Sequence, residues 1–383
     1  MFSNRASIAS ILQGFHVDDR MLGYNSFVAR LYNWCLSLGF MPGKIMPSRA
    51  FCSDESQGFP IILLAKHFGA FPFNHGRVGG IISLDRHGPH ADHGRDLLLI
   101  QASHVGYDPE TGEFGVYRRL HTEQNSNSCS CGKIGSILEW YRAGFHYARE
   151  NVRLIRHGDT PALLIDNQLL SRDRGDGIFL VADNLIDGVV RHNHLPPPLA
   201  ARSTGMVFAA APGLIARLGA ATWPAQGSIA IGPRLSADDF FFEREFVNPD
   251  LSKDQLERNI LPTMPWILTS KQPLLTAARA NTIAEFDRAY RSLAQFPRLR
   301  GKNLLFLAGL NIDISPYPGE HFPLTKFMPW AAYLQREDGS REMLEQDDLI
   351  ERLAAQPDDN PSQLALDQAI ATMVQHRDVR VRL

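Results

Sequence analysis

Cys52 in Phe51-Cys52-Ser53-Asp54-Glu55, His104 in Ala102-Ser103-His104-Val105-Gly106 and Cys131 in Ser130-Cys131-Gly132-Lys133 are residue types that suit one shared chemistry. Two thiolates and one imidazole make a three-ligand set for zinc, and the fourth tetrahedral position is left to water. An open position separates a reactive metal from a structural one, so the set points to a zinc lyase or hydrolase. Asp54, two residues after the first cysteine, stands where a carboxylate could manage that water. The chain has only four cysteines in 383 residues, too few for a disulfide framework. Cys129 and Cys131 are also too close to bridge comfortably, so reduced thiols available to a metal are expected.

Particular elements must bring these residues together. Residues 44–51 read as extended, and Pro60 followed by Ile61-Ile62-Leu63-Leu64-Ala65 predicts a helix opening near residue 59. Cys52 and Asp54 then fall in a strand-to-helix turn, where open α/β sheets hold ligands. The continuous apolar run over residues 96–101 predicts a buried central strand, with His104 just beyond its end. Residues 108–112 read as a turn and 113–119 as a returning hairpin strand. A long helix over 132–150 puts Cys131 at its N-terminus, a position that favours a thiolate. Residues 7–40 show helical spacing, and Cys35 belongs to that apolar face as a core thiol.

Past residue 155 the character changes. Short strands are expected at 162–165, 177–181 and 206–208, helices at 256–260 and 275–295, and a strand at 303–310. A hairpin over 328–344 turns at Asp338-Gly339, and helical pieces follow at 347–355 and 362–375. Two domains are therefore expected: residues 1–155 with the metal set, and 156–383 as a mixed α/β or α+β extension. A formal net charge of −2, spread over both halves, gives no basic stripe for nucleic acid. No apolar run approaches the roughly 18 residues of a membrane span, and the N-terminus has no signal-peptide core. A cytoplasmic protein is expected. The histidines at 87, 90 and 93, and His192 with His194, read as solvated loops. Gly76-Arg77-Val78-Gly79-Gly80 lacks the strand–glycine loop–helix context of a nucleotide site, and no serine-nucleophile elbow occurs.

The flanking residues add a family resemblance. Cys-Ser-Asp-Glu at 52–55, Ala-Ser-His-Val-Gly-Tyr-Asp-Pro-Glu-Thr-Gly-Glu-Phe-Gly at 102–115 and Cys-Gly-Lys-Ile-Gly at 131–135 come in a definite order. The region over residues 45–150 resembles the limiting-carbon-dioxide-inducible B/C proteins, a group of beta-like carbonic anhydrases. The resemblance implies an α/β fold with a beta-carbonic-anhydrase-like sheet flanked by helices, and a homodimer. It also implies zinc on Cys52, His104 and Cys131, Asp54 beside the metal water, and reversible hydration of carbon dioxide to bicarbonate. This chain departs from the pattern at two places. Ser53 stands where the family commonly has Arg, and Ser56 where ordinary beta-type enzymes place one. An Asp–Arg pair must then recruit its cation elsewhere, from Arg77 or, behind it, Arg86, and the histidines at 87, 90 and 93 are conceivable proton shuttles. Two other readings stand beside this one. The first is a zinc-binding but catalytically silent homologue serving inorganic-carbon accumulation or acting as an interaction module. The second is a zinc enzyme on another small carbonyl substrate.

Overall fold

The structure is a computed structural model and describes residues 5–84, 96–118, 131–170, 175–188, 205–246, 252–317 and 324–374. The chain forms two compact units, each discontinuous in sequence. One comprises residues 1–10 and 133–277, the other 11–132 and 278–383. A change of sequence character near residue 155 suggested a single break there. The larger unit instead takes strands from both ends of the chain, because a sheet is completed by hydrogen bonding and not by chain order.

That larger unit is built on an eight-stranded mixed sheet. Its strands are β1 (Leu22–Gly23), β2 (Ile45–Ala50), β3 (Phe73–Asn74), β4 (Asp96–Asp108), β5 (Glu113–Phe114), β6 (Leu304–Ile314), β7 (Leu324–Gln335) and β8 (Arg341–Leu344). The order is β1-β7-β6-β4-β2-β3, with β8 on β7 and β5 on β4. β4 lies centrally, parallel to both β2 and β6, while β7 runs antiparallel to β6. Both faces of the central strands are covered, which is why β4 and β6 read as continuous apolar runs without alternation.

The even-numbered residues Leu98, Ile100 and Ala102 of β4 share one core with Leu305 and Leu307 of β6. Helices α1 (Tyr24–Ser37), α2 (Gly58–Phe68) and α5 (Gln346–Ala354) supply residues to that core. In α1 the buried positions Tyr24, Phe27, Val28, Leu31, Trp34 and Cys35 recur at helical spacing. Phe27 stacks on Phe327 of β7 at 4.1 Å between ring centroids, and removing such a buried ring costs about 3–5 kcal/mol. Cys35 is a core thiol, fully buried, with its pKa pushed up by burial. On the opposite face Leu97, Leu99, Leu304 and Phe306 pack with Phe286, Ala289 and Leu293. Those three residues come from the long helix Pro273–Gln295, called α4 here, with α3 being Gly132–Asn151.

The sequence anticipated most of these elements. α2 begins one residue from the expected start and ends at Gly69, whose φ of 73° is the left-handed conformation that suits a glycine after a helix. The expected long helix over 7–40 is interrupted, since Leu22–Gly23 pairs with β7 between the helices Arg5–Gly14 and Tyr24–Ser37. β4 also differs from expectation. It runs on through His104 to Asp108, because its parallel register with β6 continues from Leu97↔Leu304 to Tyr107↔Ile314.

The second unit holds a four-stranded antiparallel sheet, in the order Met206–Ala209, Thr160–Ile165, Val152–His157, Ile229–Ala230. A separate two-stranded antiparallel sheet pairs Gly177–Leu180 with Phe240–Glu243. Phe145 of α3 stacks on Phe240 at 5.0 Å, and Tyr141 donates to Glu257 Oε1 at 2.7 Å. Among the described residues no helix is long and apolar enough to cross a membrane.

Candidate metal centre

Cys52, His104 and Cys131 converge. One ligand atom from each lies within 4.8 Å of the others, and all three residues are buried. Each comes from the C-terminal end of a strand or the start of a helix. Cys52 follows β2 in the turn to α2, His104 lies on β4, and Cys131 immediately precedes α3. In open α/β sheets, ligands are held in the crevice outside the carboxyl ends of the strands.

His104 is held by a residue that sequence reasoning missed. Its Nδ1 lies 2.8 Å from Asp313 Oδ2, and both side chains are essentially inaccessible. A carboxylate only accepts, so Nδ1–H donates and Nε2 is left as the nitrogen available to a metal. Asp313 sits on β6 opposite Gly106, on the same sheet face as His104. A buried carboxylate needs compensation, and Asp313 has it from the turn that carries Cys52. Ser56 Oγ donates to Oδ2 at 3.0 Å, and Gln57 Nε2 reaches Oδ1 at 3.0 Å and Oδ2 at 3.2 Å. Asn311 Nδ2 in turn donates to Gln57 Oε1 at 2.6 Å. Ser56, where a beta-type enzyme would place an arginine, is thus committed to orienting the histidine. The signal available in the sequence was the polar pair Asn311 and Asp313, continuing an apolar strand beyond its expected end at Leu310.

The glycine-studded segment after β3 has a backbone role. Gly79 N–H donates to Cys52 Sγ at 3.2 Å. The segment lies so close to the sheet that a Cβ at Gly76 would collide with the Phe51 carbonyl oxygen, and one at Gly80 with that of Ala102. Gly79 and Gly80 both take positive φ, 76° and 77°, which side chains resist. The glycines permit the approach, and the approach delivers an N–H to the sulfur.

The three groups shift one another's ionisation. Cys52 is drawn down to about 3, first by its hydrogen bond with Cys131, then by His104 and the Gly79 N–H, against the opposing effect of burial. Cys131 is pushed up, chiefly because it donates to Cys52 and is buried. The start of α3 therefore does not by itself lower Cys131 beside a charged Cys52. Two adjacent thiolates in a low dielectric repel, and the pair keeps one proton. Burial pulls His104 down, yet Asp313 and the two cysteines outweigh it and raise the group well above its usual range.

Asp54 caps the short turn Glu55–Gln57, its Oδ1 accepting from Ser56 N at 3.2 Å. It is half-buried and stands outside the 4.8 Å group. Arg77 is half-buried on the short strand Gly76–Arg77 and donates from Nε to Ser83 Oγ at 2.7 Å. Arg86, Cys129, the histidines at 87, 90 and 93, and His192 with His194 lie outside the described residues.

No protein-family model and no curated protein matches the sequence. Solved structures do. A histidine-to-alanine mutant of PtLCIB4, a homolog of the limiting CO2-inducible protein LCIB, matches with a TM-score of 0.50. The match has 12% identity and covers 89% of this chain and 97% of that one. This chain has that homolog's fold. PtLCIB4 itself matches at 0.49 with 13% identity, covering 88% of this chain and 98% of that one. LCIB matches at 0.44 with 11% identity, covering 85% and 94%. The sequence resemblance confined to residues 45–150 therefore extends, as fold, over most of the chain, and the expected α/β class with a helix-flanked sheet holds.

Proposed function

We propose that this protein is a zinc-dependent carbonic anhydrase of the limiting-carbon-dioxide-inducible type, hydrating carbon dioxide reversibly to bicarbonate. The supporting observation is the buried group of two sulfurs and an imidazole, with the imidazole oriented from behind by Asp313. The donor set fits zinc: soft sulfur and nitrogen donors, three in number, with the outer nitrogen of the histidine engaged by a carboxylate. Zinc held there would leave a fourth position and bring the pKa of a water to about 7, supplying a nucleophile at neutral pH.

The remaining work falls to the chain. Asp313, Ser56 and Gln57 fix the ring of His104 and therefore the direction of its Nε2. Gly79 N–H withdraws charge from the Cys52 sulfur, which opposes the electron richness of two thiolate donors. Asp54 is assigned the carboxylate that accepts the hydrogen bond of the attacking water, its position set by its cap on Ser56 N–H. Arg77 is assigned as the cation that keeps Asp54 from binding the metal itself. A homodimer in the cytoplasm belongs to the same reading.

A second reading is favoured by Ser53, exposed where the resembled family commonly has arginine, and by Ser56, given over to Asp313 where ordinary beta-type enzymes place one. On it the protein binds zinc and is silent. Stopped-flow carbon dioxide hydration on zinc-loaded protein, beside Cys52→Ala and Asp54→Ala, separates the two. Activity in the wild type that both variants lose supports the anhydrase. One zinc per chain without activity establishes the silent homologue, and no bound metal removes the site.

A further inference from the structure

Asn281 of α4 is fully buried and is used by nothing in the mechanism above. Its amide nitrogen donates twice, to Gly79 O at 2.8 Å and to Ser103 Oγ at 2.9 Å. The first acceptor belongs to the glycine whose N–H meets Cys52 Sγ. The second belongs to the residue before His104. The same helix holds the far end of the glycine segment, where Glu285 Oε2 accepts from Ile82 N at 2.8 Å and Arg288 donates to Ile82 O at 2.7 Å. Gln101 Nε2 adds a hydrogen bond to Gly80 O at 3.2 Å.

Two consecutive residues at positive φ form a flexible segment unless something outside determines their conformation. Here a carbonyl is pinned on one side of Gly79 while the N–H on its other side points at sulfur. A hydrogen bond to a thiolate ligand lowers the charge it donates to its metal, and outer-shell partners of this kind set affinity and electronics. A polar residue is also conspicuous at position 281. The helical stripe Ala277, Ala278, Asn281, Thr282, Glu285, Ala289 is buried along its length, and an apolar residue would pack there without needing partners.

We infer that Asn281 is a positioning residue for the metal centre: through one buried amide it holds the Gly79 N–H on Cys52 and ties that segment to the strand bearing His104. The inference rests on the proposed metal site and adds what tunes one of its ligands.

The test uses cobalt(II) as the probe on the full chain. In the wild type, cobalt bound at one per chain gives a sulfur-to-metal charge-transfer band. Replacing Asn281 by Asp keeps the shape and removes the donor, and Asn281→Leu removes both hydrogen bonds. Either change is expected to move the band to lower energy, as a thiolate stripped of its N–H donates more strongly, and to weaken zinc by about 10–100-fold. Ser103→Ala, which leaves the Gly79 contact in place, is expected to keep the band where it is. A folded Asn281→Asp variant with the wild-type band and affinity overturns the inference. If neither Asn281 variant folds, the wild type still decides. In cadmium-113-loaded wild type labelled with nitrogen-15 and carbon-13, the Gly79 amide proton should couple to the metal through sulfur and the Asn281 side-chain nitrogen to the Gly79 carbonyl carbon, and the absence of either coupling overturns the inference. Wild-type protein that takes up neither cobalt nor cadmium would instead defeat the metal site itself.

Discussion

At the scale of single residues, the centre is a set of protons and donors arranged before any metal arrives. The pair Cys52 and Cys131 favours sharing one proton over two adjacent thiolates, and Asp313 raises His104 well above its usual range. On the proposed reading, zinc would take thiolate sulfur and neutral imidazole, so its binding would expel the proton shared by the two cysteines and the one on His104. The sign follows directly: protons are bound without metal and absent with it, so affinity rises with pH through neutrality. Calorimetric titration of zinc in two buffers of different ionisation enthalpy should read roughly two protons released. Asp313→Asn removes the charge behind His104, so it should lower that number and weaken zinc by about 10–100-fold. A binding heat that does not change with the buffer would mean no protons are released and would contradict the arrangement.

At the scale of elements, the decisive feature is how closely backbone lies on backbone. The glycine segment can reach Cys52 only because Gly76 and Gly80 lack a Cβ. Gly80→Ala combines a left-handed φ with a collision at Ala102 O, whereas Gly43, with φ 71°, has open space around its Cβ position. Gly43→Ala should then lose about 1–2 kcal/mol from backbone conformation alone. Gly80→Ala should lose a further 1–3 kcal/mol or so from overpacking. Urea midpoints of the two variants give the difference, and equal losses would show that the segment can move away. The sequence made Cys52, His104 and Cys131 legible, because cysteine and histidine are scarce and their flanking residues are distinctive. It left Asn281 and the Gly79 N–H illegible. One is an unremarkable amide in a helix, and the other is a backbone group that every residue but proline carries.

At the scale of the whole molecule, the sheet binds the ends of the chain into one cooperative unit. His104 and Asp313 are 209 positions apart, and β6 pairs along nearly the whole of β4. The fragment 1–155 lacks β6, β7 and α4, which leaves the apolar flank of β4 open and His104 without its carboxylate. That fragment is expected to be unfolded or aggregated and to bind no zinc, by circular dichroism and metal analysis after refolding. A soluble, zinc-binding fragment would restore an independent domain ending at residue 155.

Legible in the residues alone were the two cysteines and the histidine as a candidate ligand set, the strand-to-helix turn at Cys52, the helix after Cys131 and the apolar centre of β4. Those are consequences of local composition and periodicity, which act over a few residues. The tertiary structure alone decided that β4 runs through His104, that Asp313 stands behind the ring, and that the glycine segment donates to sulfur. These depend on which distant strand completes a hydrogen-bond ladder and on where a missing Cβ leaves room, and local composition and periodicity specify neither partner.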